Sequence, residues 1–166
     1  MLIEKLKERL GDAIVAAESA RGEETIVIGR DSVPEVMRRL RDEADFAFDF
    51  LADLTAVDWL TRTPRFDVVY QLRSLSRGTA LRVKVGIDGA EPWAHSVAGL
   101  WKAADWFERE CFDMFGIRFE GHPDLRRILM YDSFEGYPLR KDYPYNRRQP
   151  LVEEVDPVTH PRRPSR

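Results

Sequence analysis

The chain has 166 residues, 43% hydrophobic and 33% charged, a composition typical of one globular domain that buries roughly 70% of its unfolded surface. Lys and Arg (26) nearly balance Asp and Glu (29), and the net charge of −3 argues against a nucleic-acid-binding protein, which normally has a basic excess. The single cysteine excludes an intramolecular disulfide, and also an iron–sulfur cluster or zinc site whose cysteine ligands all come from this chain.

The first predicted element is an amphipathic helix over residues 2–17. No basic-then-apolar leader follows Met1, so we expect no signal peptide, and no apolar run approaches the ~20 residues that span a bilayer. The apolar positions of the helix share one face: Leu2, Leu6, Leu10, Ala13, Ile14 and Ala17. A short strand is predicted at residues 25–28. Ser32 and Glu35 then predict a capping box for a second helix, whose core face carries Val33, Val36, Met37 and Leu40.

Three further strands are predicted in the middle of the chain. Phe46, Phe48 and Phe50 alternate as on a strand that continues through residues 51–59. Residues 66–75 and 81–87 form two strands of period two, with these side chains expected inward: Leu81, Val83, Val85 and Ile87. The phenylalanines could also form a base-stacking platform, but Asp49 between them would repel phosphate, so core packing is favoured.

Residues 93–116 complete the predicted globular domain. Ser96 is expected to cap a helix with Val97, Leu100 and Trp101, which runs into a second helix capped by Asp105 and Glu108 and ended by Gly116. Together the elements predict an α+β fold, a two-layer sandwich with a mostly antiparallel four-stranded sheet packed on helices. We assign this domain to residues 1–120.

Charged and aromatic side chains are crowded together on the helix before Gly116. A buried carboxylate needs a partner, and the nearest candidates in sequence are Arg109, Arg126 and Arg127. We therefore predict a structural ion-pair network of seven residues: Glu108, Arg109, Glu110, Asp113, His122, Arg126 and Arg127. Glu110, Asp113 and His122 could bind a metal, but their spacing is poor for a helical metal site. Carboxylates one turn apart could act as a general acid and base, but such pairs are common on helices and indicate little. Cys111 is expected to be a buried, inert thiol.

The composition changes after Phe119, and residues 121–166 form a second region. Seven of the ten prolines lie from Pro123 onward, among tyrosines and basic pairs, and no helical period survives. Such a segment is expected not to fold back into its own core. It is either a disordered tail or an extended arm ordered on a partner. Tyr and Arg are typical interface residues, which favours an arm over residues 125–150 with fraying beyond.

Two blocks of this sequence resemble a known family. Glu108-Arg109-Glu110, Asp113, His122 and Arg126-Arg127-Ile128 resemble the signature of the C-type subunit of NADH-quinone oxidoreductase, the 30 kDa subunit family of respiratory complex I. Gly136 begins a block that resembles the second family motif and that is taken as the partner-docking part of the arm: Tyr137, Pro138, Leu139, Arg140, Lys141, Asp142, Tyr143 and Pro144. Two blocks in this order make the resemblance specific.

The resemblance implies a structural subunit without catalytic, cofactor-binding or metal-binding residues. In this family the assembly passes electrons from NADH through FMN and iron–sulfur clusters, held by partner subunits, to quinone, and couples this to proton transport. The family's subunit packs on the D-type, quinone-site subunit of complex I, near the B-type and I-type cluster subunits. The implied location is the cytoplasmic face of the bacterial inner membrane, as a peripheral subunit that meets the membrane only through the complex.

Two other functions remain open on the sequence. One is the equivalent scaffold subunit of a membrane-bound hydrogenase, or of a ferredoxin- or coenzyme-dependent dehydrogenase complex. The other, from a different class, is a stand-alone hydrolase or metal enzyme that uses Glu110, Asp113 and His122. A nucleic-acid-binding module is a weaker possibility.

Overall fold

The computed structural model describes residues 2–149, which form an α+β domain followed by a segment without helix or strand. Its helices and strands are α1 (Leu2–Leu10), β1 (Ile14–Ala20), β2 (Glu23–Ile28), α2 (Val33–Asp42), β3 (Phe50–Asp58), β4 (Phe66–Ser74), β5 (Thr79–Ile87), β6 (Trp93–His95), α3 (Ala104–Phe115) and β7 (Arg118–Glu120). Among these residues no helix is long and apolar enough to cross a membrane.

The main sheet has five strands in the order β1-β2-β5-β4-β3. Neighbouring strands are antiparallel except for β2 and β5, which are parallel because the chain crosses over between them through α2, β3 and β4. Strand β5 alternates as predicted, and its inward side chains are buried: Leu81, Val83, Val85 and Ile87. The predicted α+β fold with a mostly antiparallel sheet is confirmed, with five strands in the sheet rather than four.

The additional strand comes from residues that were predicted to be helical. The first helix ends at Leu10, and Ile14–Ala20 pairs with β2 instead of continuing the helix to Ala17. Gly11, at a φ of +51°, ends the regular helical conformation. Apolar residues at 13, 14 and 17 fit a helical period, but pairing with β2 satisfies the backbone of this stretch, so tertiary context overrides the local pattern.

The segment around Phe46 and Phe48 is buried but is not a strand. Both side chains are at most 1% exposed, so the prediction of core packing is confirmed for them. It is wrong for Phe50, which is 46% exposed and is the first residue of strand β3. The N–H groups of Phe46 and Ala47 donate to Glu43 O, and that of Phe48 donates to Leu40 O. These bonds follow the end of α2, and they use the N–H groups that a strand would need for pairing with a neighbour.

The predicted helix starts are also wrong in detail. Ser32 precedes α2 without a side-chain cap, and Asp105 lies inside α3, which starts at Ala104. The stretch after Ser96 is a turn rather than a helix, and Ser96 Oγ accepts the N–H of Ala98 at 3.1 Å. The stop at Gly116 is confirmed, because this residue has a φ of +72° and its N–H donates to Phe112 O.

Candidate docking site of the C-terminal segment

Residues 121–149, called the C-terminal segment below, begin at a buried carboxylate of α3. The Asp113 side chain is fully buried and accepts four hydrogen bonds from the segment. The donors are Arg127 Nη1 at 2.7 Å and the N–H groups of Ile128, Leu129 and Met130 at 3.1, 2.8 and 2.8 Å. Burial opposes the ionisation of Asp113, but these donors outweigh it and lower its pKa. A single carboxylate therefore fixes the first turn of the segment.

Two arginines bind the backbone of the same region. Arg109 Nε donates to Arg126 O at 3.2 Å and its Nη2 donates to Arg127 O at 3.3 Å, while its guanidinium lies 5.3 Å from the Trp106 ring centroid. Arg127 uses Nη2 to bind Gly136 O at 3.2 Å. An arginine fork suits this task because its donors are fixed in one plane. Both side chains thus hold backbone carbonyls of the C-terminal segment.

Glu108 has a different role from the ion pairing predicted for it. Its carboxylate is fully buried and is bound by Ser96 Oγ and Val97 N–H, each at 2.6 Å, with no arginine partner among residues 2–149. Burial raises the pKa of Glu108 to about 7 despite these two hydrogen bonds. The side chain therefore ties the turn after β6 to α3 rather than holding the C-terminal segment.

The remaining residues of the predicted network lie at its edge. His122 Nε2 lies 3.1 Å from Asp105 O, and its Nδ1 accepts the N–H of Asp124 at 3.0 Å. Arg126 pairs with Asp124 at 2.9 Å on the surface, where both side chains are more than 60% exposed. Glu110 is exposed and has no hydrogen bond or ion pair within residues 2–149.

The structure does not bring Glu110, Asp113 and His122 together as a metal or acid/base site. The oxygens of Asp113 are occupied by backbone N–H groups and Arg127, and the His122 ring is bound at both nitrogens. No group of three His, Cys, Asp or Glu side chains within residues 2–149 is placed to hold a metal ion. Cys111 is buried, faces Leu54 O, and has its thiol pKa raised chiefly by burial.

A second buried carboxylate, Asp58 at the end of β3, holds the segment further along. Arg65 binds it with Nε at 2.9 Å and Nη2 at 2.7 Å, and the N–H of Lys141 donates to Oδ2 at 2.8 Å. Arg65 also pairs with Asp142 at 2.9 Å. Hydrogen bonds from Arg65 are the largest influence on Asp58 and hold its pKa well below the usual range.

Between these two carboxylates the segment packs on the end of α3. The N–H of Leu139 donates to Met114 O at 3.1 Å, and Arg140 Nε donates to Phe115 O at 2.5 Å. The Tyr137 ring covers Gly116 so closely that a Cβ there would lie 2.5 Å from Tyr137 Cε2. Glycine at this position therefore meets two requirements, a left-handed backbone and the close approach of the ring.

The predicted docking residues divide into two groups in the structure. Tyr137, Pro138, Arg140 and Tyr143 are partly buried against the domain or the segment itself. The exposed members are Leu139, Lys141, Asp142 and Pro144. The segment thus has an inner face committed to its own chain and an outer face open to solvent.

The expectation that this segment cannot fold against its own domain is wrong for residues 125–143. Leu125 and Met130 pack on the hydrophobic core, and the contacts of Asp113 and Asp58 are intramolecular. The proline-rich sequence does prevent regular structure, but buried carboxylates and helix-end carbonyls replace it as hydrogen-bond partners. The predicted fraying beyond Pro150 lies outside the described residues.

A known protein family matches most of this sequence, including the residues described above. The family model described as the 30 kDa subunit of respiratory-chain NADH dehydrogenase matches residues 26–149, which include both buried carboxylates and the segment that they hold. The chain belongs to this family. The resemblance of the two sequence blocks to the C-type subunit of NADH-quinone oxidoreductase is thereby confirmed.

Relatives within the family align over most of their length. The C-type subunit of NADH-quinone oxidoreductase from Citrifermentans bemidjiense is 48% identical over 140 residues, covering 84% of this chain and 86% of the relative. The equivalent subunit from a Roseiflexus species is 46% identical over 143 residues, covering 86% of this chain and 82% of the relative.

Solved structures share the fold. A trypsin-resistant fragment (1-134) of Nqo5 matches with a TM-score of 0.66 and 36% identity, covering 75% of this chain and 98% of the fragment. A chain of a membrane-bound sulfane sulfur reductase, an archaeal respiratory membrane complex, matches with a TM-score of 0.74. The match covers 93% of this chain and 95% of the reductase chain. The sequence identity to that second chain is 23%, so the match shows a common fold alone.

Proposed function

We propose that this 30 kDa family member is a structural subunit of the peripheral arm of proton-translocating NADH-quinone oxidoreductase. It supports electron transfer from NADH through FMN and iron–sulfur clusters to quinone and has no active site of its own. The observation that carries this proposal is the use of both family blocks: Asp113 and Arg127 from the first, and Leu139 and Arg140 from the second, bind the C-terminal segment to the domain. These contacts hold the segment on the domain and leave the exposed side chains of its outer face available to partners.

The redox groups are assigned to partner subunits. An iron–sulfur cluster is usually held by four thiolates, and this chain has one cysteine, whose thiol is buried and has a raised pKa. Purified alone, the chain should lack flavin absorbance and stoichiometric iron. The same measurements on the assembled complex should show both, which tests the cofactor assignment directly.

The outer face of the C-terminal segment is the proposed contact with partners. We assign it to the D-type, quinone-site subunit, with the B-type and I-type cluster subunits nearby, at the cytoplasmic face of the bacterial inner membrane. Leu139 and Tyr145 are exposed hydrophobic side chains on this face, at 53% and 99%. Exposed aliphatic and aromatic side chains of this kind are typical anchors of protein interfaces.

Affinity purification tests the function most simply. A tag on this chain, expressed in place of the natural subunit in a host that encodes the complex, should recover flavin, iron and NADH–quinone oxidoreductase activity together. Deletion of the gene should abolish that activity, and complementation should restore it. Recovery of the chain without flavin or iron, or turnover of NADH by the chain alone, would contradict the proposal.

A further inference from the structure

The solvent side of α3 is a stripe formed by Trp106 and Glu110. The two residues are four positions apart in the helix, so their side chains are neighbours on the same face. Trp106 is 60% exposed and Glu110 is also exposed, whereas Asp113 in the next turn is fully buried beneath the C-terminal segment. The stripe therefore borders the start of the segment but stays open to solvent.

The Trp106 ring is supported on one side by an arginine that is itself held in place. The guanidinium of Arg109 lies 5.3 Å from the ring centroid and donates to the carbonyl oxygens of Arg126 and Arg127. Arg109 is only 8% exposed, and moving it away from the ring would break both hydrogen bonds. A large aromatic side chain that is already held in one orientation loses little conformational entropy when a partner covers it.

Glu110 is an exposed carboxylate without a cation among residues 2–149. The sequence predicted it as a member of the ion-pair network, but the arginines of that network bind other groups. Arg109 binds backbone carbonyls, and Arg126 and Arg127 pair with aspartates. The described part of the chain thus leaves this carboxylate free to pair with a cation of another molecule.

Trp106 and Glu110 together define what a matching surface must contain. A partner that covers the ring also removes water from the neighbouring carboxylate, and a carboxylate that loses its water needs a cation. A lysine or arginine supplies that charge, and its aliphatic stem can pack on the ring. Tryptophan is also among the residues that contribute most to binding at protein interfaces.

We propose that Trp106 and Glu110 form a docking surface for a segment of a partner subunit whose lysine or arginine binds the Glu110 carboxylate and covers the exposed side of the Trp106 ring. The proposal rests on the proposed function, because it requires that the chain assemble with partner subunits. It extends the contact from the outer face of the C-terminal segment to α3, and it specifies the charge of the partner.

Incorporation into the complete complex tests this surface. Variants with a tag compete with the untagged natural chain for assembly, and the tagged fraction in the purified complex is measured. Trp106→Ala and Glu110→Lys should each lower that fraction by about tenfold. Glu110→Gln should lower it less, because glutamine removes the attraction to a cation without adding repulsion. Equal fractions for the two Glu110 variants would contradict the proposal, since a cation of the partner must distinguish them.

Two exposed positions away from the stripe provide matched controls. Glu18→Lys makes the same charge change on β1, at the edge of the sheet opposite to β3, on which α3 packs. Leu75→Ala truncates an apolar side chain that is 68% exposed at the β4–β5 turn. Both should enter the complex like the natural chain. Losses as large as those of the α3 variants would show that assembly does not depend on this particular surface.

The thermal midpoint of the free chain separates docking from folding. Both side chains of the stripe are exposed, so Trp106→Ala and Glu110→Lys should leave the midpoint close to that of the natural chain while assembly falls. Raised salt should weaken assembly of the natural chain more than that of Glu110→Gln, because the variant has lost the charged contact. A larger fall in the midpoint for Trp106→Ala than for Leu75→Ala would mean that the ring supports the fold, and would count against docking.

The remaining outcomes distinguish this inference from the proposed function. Normal assembly of Trp106→Ala and Glu110→Lys would overturn the docking surface and leave the function intact. Failure of the natural chain itself to enter the complex would overturn the function. Self-association of the free chain that Glu110→Lys abolishes would assign the surface to a second copy of the chain and so overturn the partner assignment.

Discussion

Glu108 makes the stability of the domain depend on pH between 4.5 and about 7. Its ordinary pKa of 4.5 is raised to about 7 in the folded protein, mainly by burial. The folded state therefore holds this proton over a range in which the unfolded state has released it, and stability falls as pH rises through that range. Below pH 4.5 both states are protonated, and above about pH 7 both are ionised, so the contribution is constant outside the window.

Glu108→Gln should remove this dependence. The amide stays neutral, and it can donate to Ser96 Oγ and accept the Val97 N–H in place of the carboxylate. The unfolding free energy of the natural chain, relative to the variant, should fall by about 3 kcal/mol between pH 4.5 and 7. Chemical denaturation over a pH series measures both proteins, and parallel curves across this window would contradict the account.

Asp113→Asn should be a costly substitution, because it removes a buried charge that the C-terminal segment depends on. It leaves Arg127 without its carboxylate and weakens three backbone hydrogen bonds, at a cost of about 3–5 kcal/mol in unfolding free energy. Because the folded pKa of Asp113 is lowered, its contribution should be complete at neutral pH and be lost as pH falls through that lowered value. Equilibrium denaturation provides the measurement.

Asp124→Asn is the matched control for Asp113→Asn. Its carboxylate pairs with Arg126 on the surface, and exposed pairs of this kind contribute about 0–1 kcal/mol. We therefore expect the adjacent arginines to differ, with Arg127 important for the fold and Arg126 of little effect. Equal losses for the two aspartate variants would show that burial does not set the strength of these pairs.

For single residues, the sequence indicates which buried charges need a partner, but it often does not indicate which residue the partner is. Asp113 and Arg127 are close in sequence, so their pairing could be anticipated. Glu108 meets Ser96 and Val97 because the chain there is a turn, whereas the sequence predicted a helix. Asp58 and Lys141 are separated by 83 positions, and no local pattern indicates that one binds the other.

Secondary-structure elements show the same division between local and long-range information. Strands β4 and β5 form a hairpin whose alternation is strong, and their bounds agree closely with prediction. The stretch 14–20 is ambiguous in isolation, since its apolar spacing suits a helix and only the neighbouring strand β2 decides. The buried Phe46 and Phe48 show that alternation can also arise in an irregular loop that faces the core.

The end of α3 can be tested with a pair of glycines. Gly116→Ala places a Cβ 2.5 Å from Tyr137 in a left-handed residue, whereas Gly22→Ala, at a φ of +82°, meets nothing within 4 Å. Both should lose about 1–2 kcal/mol for the backbone conformation. The Gly116 variant should lose more, because Tyr137 and Arg140 must move, and thermal unfolding compares the two. Equal losses of stability in the two variants would show that the close approach of Tyr137 to residue 116 does not contribute to stability.

In the whole molecule, Asp58 and Asp113 hold the C-terminal segment at two places before any partner is present. Asp58→Asn should loosen the segment around Lys141, while the contacts of Asp113 keep its first half in place. Trypsin should then cut after Arg140 and Lys141 about tenfold faster than in the natural chain, as expected for a local opening. Cleavage after the exposed Arg148 should be unchanged and serves as the internal control.

The composition of residues 121–149 could not have shown this attachment. Proline and basic residues predict the absence of helix and strand, which is what the structure has, but they do not reveal acceptors located elsewhere in the chain. Those acceptors are a strand-end aspartate, a helix aspartate and the last carbonyls of α3. The domain therefore determines the position of the segment within residues 121–149.

Backbone hydrogen exchange in the isolated chain tests this attachment most directly. The amides of Ile128, Leu129, Met130, Leu139 and Lys141 donate to buried acceptors, so they should exchange far more slowly than unprotected peptides. Asp113→Asn should accelerate the first three selectively. Exchange of all five at unprotected rates in the isolated chain, with protection only in the assembled complex, would show instead that neighbouring subunits impose the structure of the segment.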